Sequence, residues 1–397
     1  MKIAFLCGGL EPGKDGVGDY ARRLAGEFIR RGNSCQLVAL NDTNVSQVRF
    51  ESQESEGGPI PVLRLPVTTP WASRTPEVRE WLGDFQPDWI SLQFVPFSFH
   101  HRGLNFGLGK FLASLNTQAA WQVMFHELWL GLGENAPMKD RVYGALQRRI
   151  ALEVIRTLRP RVINTHADRY REVLQREGIK ASILPLFSNI PRGDEDGWQG
   201  LLEPLVAAST GTPQNRENVY LAGVLGAVHP EWNAEKTVET LLPLVRRFEK
   251  RLVLVFHGKN NLSPGAFRRL ALTLKGRADV VVAGERSERD ISRILNTLDV
   301  GLATSPREMI QKSGSAAAML EHGLQVLVTR DDWHLRGSRL SAEDTCVGLL
   351  SPGDFAMLKM LPTRDAEWDS ENNVQQIAKQ MMRSMNPTLI LESVVFS

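Results

Sequence analysis

The chemistry this chain could do is concentrated in three short segments rich in glycine, hydroxyls and histidine. The first is Gln311-Lys312-Ser313-Gly314-Ser315-Ala316, which follows an apolar run at Val300 to Ala303 and the turn Thr304-Ser305-Pro306. Small polar residues open a helix there, so unbonded backbone N–H groups and the Ser313 and Ser315 hydroxyls face outward at its start. Lys312 adds a full positive charge beside them. Such a terminus offers an anion about 0.3–1 kcal/mol when exposed, and more when partly buried. With an ammonium and two hydroxyls added, it makes a cradle for a diphosphate. The competing reading is a plain cap by Ser313 with Lys312 solvated.

The second segment runs from Gly8 to Asp19 and holds Gly8, Gly9, Gly13, Gly16 and Gly18 after the strand Lys2 to Cys7. Open α/β sheets place ligands at such strand ends. Glycines let backbone approach a phosphate or sugar, and the helix start that follows favours anions. The spacing is neither a dinucleotide fingerprint nor a Walker loop, which needs Gly-Lys-Ser/Thr, so a simple turn is the other reading. The third is Phe125-His126-Glu127, at the end of the apolar run Gln122 to Phe125. A histidine in that place is either a structural hydrogen-bonder or a group aimed at a ligand. No metal site is read: His100-His101 are adjacent, and no Cys/His/Asp cluster has ligand spacing. A Ser-His-Asp hydrolase is excluded by the lack of a Gly-x-Ser-x-Gly elbow.

The elements that must position these residues form two alternating series. Strand Lys2 to Cys7, a helix carrying Val17, Tyr20, Ala21, Leu24, Ala25 and Phe28 at helical spacing, and strand Gln36 to Leu40 make a βαβ unit, which implies a parallel sheet. Strands follow at Trp89 to Gln93, Gln122 to Phe125, Arg161 to Asn164 and Ala181 to Leu184, with helical segments between them. After a polar stretch, strands recur at Val219 to Gly223, Leu252 to Phe256, Asp279 to Ala283, Val300 to Ala303 and Gln325 to Thr329. The expectation is an α/β protein with two doubly wound domains. Residues 1–187 make the first and 219–372 the second, with a linker over 188–218. Residues 373–397 supply a terminal helix, near Asn373 to Met385, that crosses back to the first domain.

Composition fits this reading. A chain of 397 residues is long enough for two cores. Apolar residues at 42% and charged residues at 23% are ordinary for a globular protein. A net charge of +2 gives no reason to expect nucleic acid as a partner, while a local basic face leaves peripheral contact with an anionic membrane open. Cys7, Cys35 and Cys346 are few and scattered, and Cys7 and Cys35 read as small core residues. Met1-Lys2 runs into a strand too short for a signal-peptide core, and no run approaches a membrane span, so a cytoplasmic location is expected.

Over most of its length the chain resembles glycosyltransferase family 4 and its GT-B relatives. Gly8-Gly9 before the helix start Val17-Gly18-Asp19-Tyr20, then Leu24 and Arg31-Gly32, is similar to the family's N-terminal signature. Phe125-His126-Glu127 resembles its central His motif. Asp299-Val300-Gly301-Leu302-Ala303-Thr304-Ser305-Pro306 is similar to its "aspartate, strand, Pro-Ser" segment. Leu320-Glu321-His322-Gly323-Leu324-Gln325-Val326-Leu327 looks like its exit from the last helix. The resemblance implies two Rossmann-like domains facing each other across a cleft.

It also implies transfer of a sugar from a nucleotide-sugar donor with retention of configuration, without metal and without any cofactor beyond that substrate. The acceptor is left open among glycan, lipid and small molecule. His126, Asp19 and Glu308 fall at the positions implied to be catalytic. Gly16, Gly18, His229, Lys236, Gly258, Lys259, Glu285, Lys312, Ser313, Gly314 and Ser315 fall at those implied to border or bind the donor. Two departures stand out. The family's paired glutamates, eight positions apart, are matched at Glu308 but not at Ala316. An alternative alignment anchored on Gly323 puts Ile310 and Ala318 there. After the strand Val219 to Gly223, Lys236 takes the family's lysine position and His229 replaces its arginine. Other GT-B activities, an inverting transferase or a sugar-nucleotide epimerase, and a catalytically silent GT-B binding protein are the alternative readings.

Overall fold

The structure, a computed structural model, describes residues 1–338, 348–362 and 373–386. The chain divides into two compact units. Among the described residues, unit 1 comprises Met1–Pro185, Leu335–Ser338 and 374–386, and unit 2 comprises Leu186–His334, 348–362 and Asn373. Cys346 and residues 387–397 lie outside the described residues.

Unit 1 is built on an eight-stranded sheet of order β3-β4-β2-β1-β5-β6-β7-β8. Its strands are β1 (Lys2–Cys7), β2 (Ser34–Asp42), β3 (Arg49–Gln53), β4 (Ile60–Pro66), β5 (Trp89–Phe94), β6 (Ala120–Phe125), β7 (Val162–Thr165) and β8 (Ser182–Ile183). All neighbours are parallel except the β3–β4 pair. Central strands read as unbroken apolar runs because helices cover both faces of a parallel sheet. Thus Ile3, Ala4, Phe5, Leu6 and Cys7 are all fully buried. Cys35 is buried as well, and burial pushes its thiol up to about 12.

The helices of unit 1 are α1 (Gly16–Arg30), α2 (Trp71–Phe85), α3 (Pro96–Phe99), α4 (Leu108–Ser114), α5 (Met138–Leu158) and α6 (Asp168–Arg176). The chain fills the sheet on one side of β1 with β2 to β4, then crosses to the other with β5. That reversal makes the carboxyl ends of β1 and β5 the place where such sheets bind ligands.

Unit 2 has a six-stranded sheet of order β11-β10-β9-β12-β13-β14. Its strands are β9 (Val219–Leu225), β10 (Arg251–His257), β11 (Asp279–Gly284), β12 (Val300–Ala303), β13 (Val326–Val328) and β14 (Leu349–Leu350), all parallel. Its helices are α7 (Glu203–Thr210), α8 (Ala234–Arg247), α9 (Pro264–Thr273), α10 (Glu288–Thr297), α11 (Gly314–Glu321) and α12 (Pro352–Ala356). Here the reversal falls at β9 and β12, so the ligand-binding edge is the set of loops that leave those strands.

Two segments depart from the sequence reading. The stretch 188–218, expected as a linker, is packed into unit 2. Gly193 N–H donates to Ser292 at 2.8 Å, Gly197 N–H donates to Thr297 at 2.6 Å, and Ser188 N–H donates to the Glu321 carboxylate at 2.9 Å. The donors are backbone N–H groups, while Asp194, Glu195, Asp196, Thr212, Asn215 and Glu217 stay exposed. The other is Leu335–Ser338, which returns to unit 1 and forms a bridge between Leu335 and Gly133. The terminal helix, α13 (Val374–Met385), belongs to unit 1. It buries Val374, Ile377, Ala378 and Met381, and the Gln380 amide donates to the Ile183 carbonyl at 2.9 Å. Among the described residues no helix is long and apolar enough to cross a membrane.

Candidate functional site

In unit 1 the loop from β1 to α1 is held by its own acids. Asp15 is the cap of α1, accepting from the N–H groups of Val17 and Gly18 at 2.9 Å each. Burial pushes its carboxyl up, against the pull of those two bonds. Asp19 pairs with Arg22 and accepts from Gly13 N–H at 3.0 Å. Its carboxyl is also raised, chiefly by burial. Asp19 therefore shapes the loop. Gly16 opens the helix at an exposed position. Gly18 is buried, and a side chain there would come within 2.5 Å of the Gly9 carbonyl, so its lack of one lets the helix start lie on the loop.

His126 leaves β6 as a buried residue with both ring nitrogens engaged. Nε2 lies 2.7 Å from the Gln93 side-chain oxygen, and Nδ1 lies 2.9 Å from Nε2 of His166. His166 in turn sets Nδ1 at 2.9 Å from the Leu184 carbonyl. Parallel pairing brings the two histidines together: Phe125 is in register with Thr165, and each histidine is the next residue. The Tyr20 ring lies edge-on to both, at 4.9 and 5.4 Å. Burial, and secondarily His166, holds the His126 imidazolium well below its ordinary range, and burial takes His166 down to about 4.

Both rings are therefore neutral near pH 7, so each carries one proton. The Leu184 carbonyl accepts, which places the His166 proton on Nδ1. Gln93 joins His126 to Ser91, to which its amide NH2 donates. The network extends under the sheet through Gln93–Ser91 at 2.6 Å, Ser91–Gln122 at 2.5 Å and Gln122–Asn164 at 3.0 Å. Sequence reading found His126 but not His166, Gln93 or Tyr20. The signal for His166 was there: a second histidine one residue past the end of the next strand.

In unit 2 the strand ends are built differently. Gly226 follows β9 with a left-handed φ of 76° and donates its N–H to the His257 carbonyl at 2.9 Å. A side chain on it would reach 3.4 Å from Ser315 Oγ and 4.0 Å from the Lys259 carbonyl. Gly258 N–H donates to the Gly284 carbonyl at 2.8 Å, which brings Glu285 to the same edge. Gly258, Lys259 and the start of α11 thus converge on Gly226, and Glu285 follows Gly284 on the neighbouring strand. Ser313 caps α11, accepting from Ala316 N–H at 3.3 Å, and Gly314 is exposed at the first helical position. Lys312 ends the 3-10 turn Arg307–Lys312 immediately before that cap, half-buried.

The other expected residues lie around this edge in distinct roles. His229 N–H donates to Thr304 Oγ1 at 3.2 Å, and burial with the nearby Arg330 lowers its imidazolium. Arg330, which sequence reading missed, is buried and links the loops. It donates to the Thr304 carbonyl at 3.3 Å and pairs with Glu231 at 2.6 Å and Asp332 at 2.7 Å. Lys236 sits exposed in the first turn of α8, its N–H capped by Asn233 at 3.0 Å. Glu308 is buried in the 3-10 turn, 3.0 Å from His334 Nδ1.

No protein-family model matches the chain, and no curated protein matches it in sequence. Solved structures do match in shape. HepE from Anabaena, in complex with UDP and glucose, is 14% identical with a TM-score of 0.53, covering 99% of this chain and 100% of that one. The catalytic domain of starch synthase IV from Arabidopsis thaliana, bound to ADP and acarbose, is 12% identical at a TM-score of 0.53, covering 98% of each chain. A Listeria monocytogenes protein provisionally designated a UDP-N-acetylglucosamine 2-epimerase is 13% identical at 0.55, covering 98% of this chain and 96% of that one. The fold is GT-B. In a GT-B chain each Rossmann-like unit presents the carboxyl edge of its sheet, and the two edges described above are those of this protein.

Proposed function

We propose that the chain is a glycosyltransferase that draws its sugar from a nucleotide-sugar donor, with unit 2 holding the nucleotide diphosphate and unit 1 serving the acceptor. The observation that carries this reading is the convergence of Gly226, the Gly258-Lys259 turn and the Ser313-Gly314-Ser315 helix start on one edge. Bare backbone, hydroxyls and a helix N-terminus suit a diphosphate. The ligands named for the similar HepE and starch synthase IV structures, UDP with glucose and ADP with acarbose, are of that class.

In transfer, the bond from the anomeric carbon to the diphosphate oxygen breaks and negative charge grows on the leaving group. Ser313, Ser315, the α11 terminus and Lys312 are the groups to offset it, with no metal required. Transfer with retention and a cytoplasmic setting complete the reading, and the acceptor is a glycan, a lipid or a small molecule. Since His126 has both nitrogens engaged, it acts on a donor sugar only by exchanging its bond to Gln93 for one to the sugar.

The test is a thermal-shift panel of UDP, ADP and GDP and their sugars. A ligand at a hundred times its dissociation constant adds about 2.7 kcal/mol. No shift with any of them would sink the reading. Lys312→Ala is expected to weaken the nucleotide by about 1.5–3 kcal/mol, the range for hydrogen bonds to charged groups. His126→Ala should lower turnover about 10²-fold with affinity little changed, as for an interaction made in the transition state. The second reading, a sugar-nucleotide epimerase, is favoured by the Listeria match. It predicts an altered sugar without an added acceptor. Binding without turnover of any kind would leave a silent binding protein.

A further inference from the structure

In unit 1 a recess of about 270 Å³ lies against α5 and α6, the loop after His126 and the residues Leu335 and Arg336. Arg141, Arg148, Arg176 and Arg336 line it, with Glu177 as its carboxylate. That carboxylate is taken by Arg148 in a two-pronged pair at 2.6 and 2.5 Å. Arg176 has Glu172 at 2.5 Å.

Arg141 and Arg336 are held otherwise. Arg141 donates to the carbonyls of Ala136 and Glu134 at 3.0 Å each. Arg336 donates to those of Gly131 and Gly133 at 2.6 and 3.2 Å. A carbonyl fixes a guanidinium in place without neutralising it, and each arginine uses only part of its N–H fork. Among the described residues no carboxylate pairs with either one. The recess is thus a preorganised positive site of the kind that suits a phosphate.

Its remaining walls are apolar, with Trp129, Leu130 and Val173 among them. Beside it on α5, Met138, Val142 and Leu146 are 71%, 54% and 37% exposed. Their spacing of four puts them in one row of the helix. A scattered exposed apolar residue needs no explanation, but a row bordering a cationic recess has the chemistry of an amphiphile's two ends.

We propose that this recess binds the phosphate group of an apolar molecule, with Arg141 and Arg336 as its charge partners and the α5 row as the seat of the apolar part. The proposal stands apart from the nucleotide reading, which concerns unit 2. A bilayer phospholipid and a soluble phosphorylated compound share this chemistry.

The test uses the full chain and two probes: hexyl phosphate by calorimetry, and vesicles of phosphatidylcholine with and without phosphatidic acid by co-sedimentation. Arg141→Gln with Arg336→Gln is expected to weaken binding at least tenfold. Met138→Ser with Val142→Ser, which disturbs no carbonyl clamp, should weaken hexyl phosphate severalfold more than inorganic phosphate. Binding to hexyl phosphate assigns a soluble ligand; binding only to phosphatidic acid vesicles assigns a lipid headgroup. The proposal is overturned if neither probe binds, or if binding survives the arginine changes in a folded protein. Should the arginine variant not fold, unchanged hexyl phosphate affinity in the Met138/Val142 variant overturns it instead.

Discussion

The two sheets end in the same place topologically and in opposite chemistry. At the edge of unit 1, the polar side chains are bonded to one another: His126 to His166 and Gln93, Asp19 to Arg22 and Gly13, Asp15 to its own helix. At the edge of unit 2, Gly226 and Gly258 carry no side chain, though their N–H groups donate to the His257 and Gly284 carbonyls, and Gly314 opens α11 beside the Ser313 and Ser315 hydroxyls. Buried polar groups that satisfy each other fix one local geometry at the cost of their availability to a ligand. Glycine backbone at a helix start keeps its donors for one. The edge of unit 1 is therefore prearranged by its own bonds, and the edge of unit 2 is the one we propose for the nucleotide.

The largest effect expected from this contrast is on acid stability. His126, His166 and His257 are buried, and their folded pKa values lie below the unfolded one, His166 at about 4 and His257 at about 3. A base depressed in this way adds nothing above pH 6.5. As pH falls from there towards the folded value, only the unfolded chain takes up the proton, so stability is lost at about 1.4 kcal/mol per pH unit for each group. The loss should be clear in denaturant titrations between pH 6.5 and 5. His257 makes no side-chain hydrogen bond within the described residues, so His257→Leu should flatten the slope without breaking a network. His166→Leu should flatten it too, but lower stability at pH 7 by about 1–3 kcal/mol, because it strands His126. Equal losses at pH 7 in the two variants would break the comparison.

Next in size is Gly226→Val. Its φ of 76° and its approach to Ser315 put both strain and bulk into the cradle. Nucleotide affinity should fall about 100-fold, close to 2.7 kcal/mol, as read by calorimetry. An unchanged affinity would mean that the nucleotide does not lie on this edge.

Much of this architecture could be read from the sequence, because parallel strands flanked by helices are continuous apolar runs. Val253, Leu254, Val255 and Phe256 announce β10 as plainly as Ile3 to Cys7 announce β1. Strand β3 was missed because Arg49-Phe50-Glu51-Ser52 is an exposed edge with no such run, and β4 because Pro61 and Arg64 interrupt its apolar run. The packing of 188–218 onto α10 leaves no mark in composition, because it is made by the backbone N–H groups of Gly193 and Gly197. Among site residues, glycines and helix-start hydroxyls are visible in sequence because their chemistry is local. Arg330 and His166 act across strands, and only register shows what they meet.

The smallest effect offers the finest test, since it pits one helix cap against the other. Asp15 accepts two N–H bonds at 2.9 Å, whereas Ser313 accepts one at 3.3 Å. Loss of a cap costs about 1 kcal/mol, so Asp15→Ala should lower stability by about that amount and Ser313→Ala by less. Binding should rank the other way: nucleotide affinity is unchanged by Asp15→Ala and weakened by Ser313→Ala, whose hydroxyl lies on the cradle. Asp15→Asn sharpens the point. Burial raises the Asp15 carboxyl, so folding works against its charged form, and asparagine keeps an acceptor without that charge. Its stability should match the parent within about 0.5 kcal/mol, as asparagine and aspartate cap about equally well. If Asp15→Asn were as damaging as Asp15→Ala, the negative charge at this helix start would itself matter. The unit 1 loop would then be held by charge and not by hydrogen bonds alone.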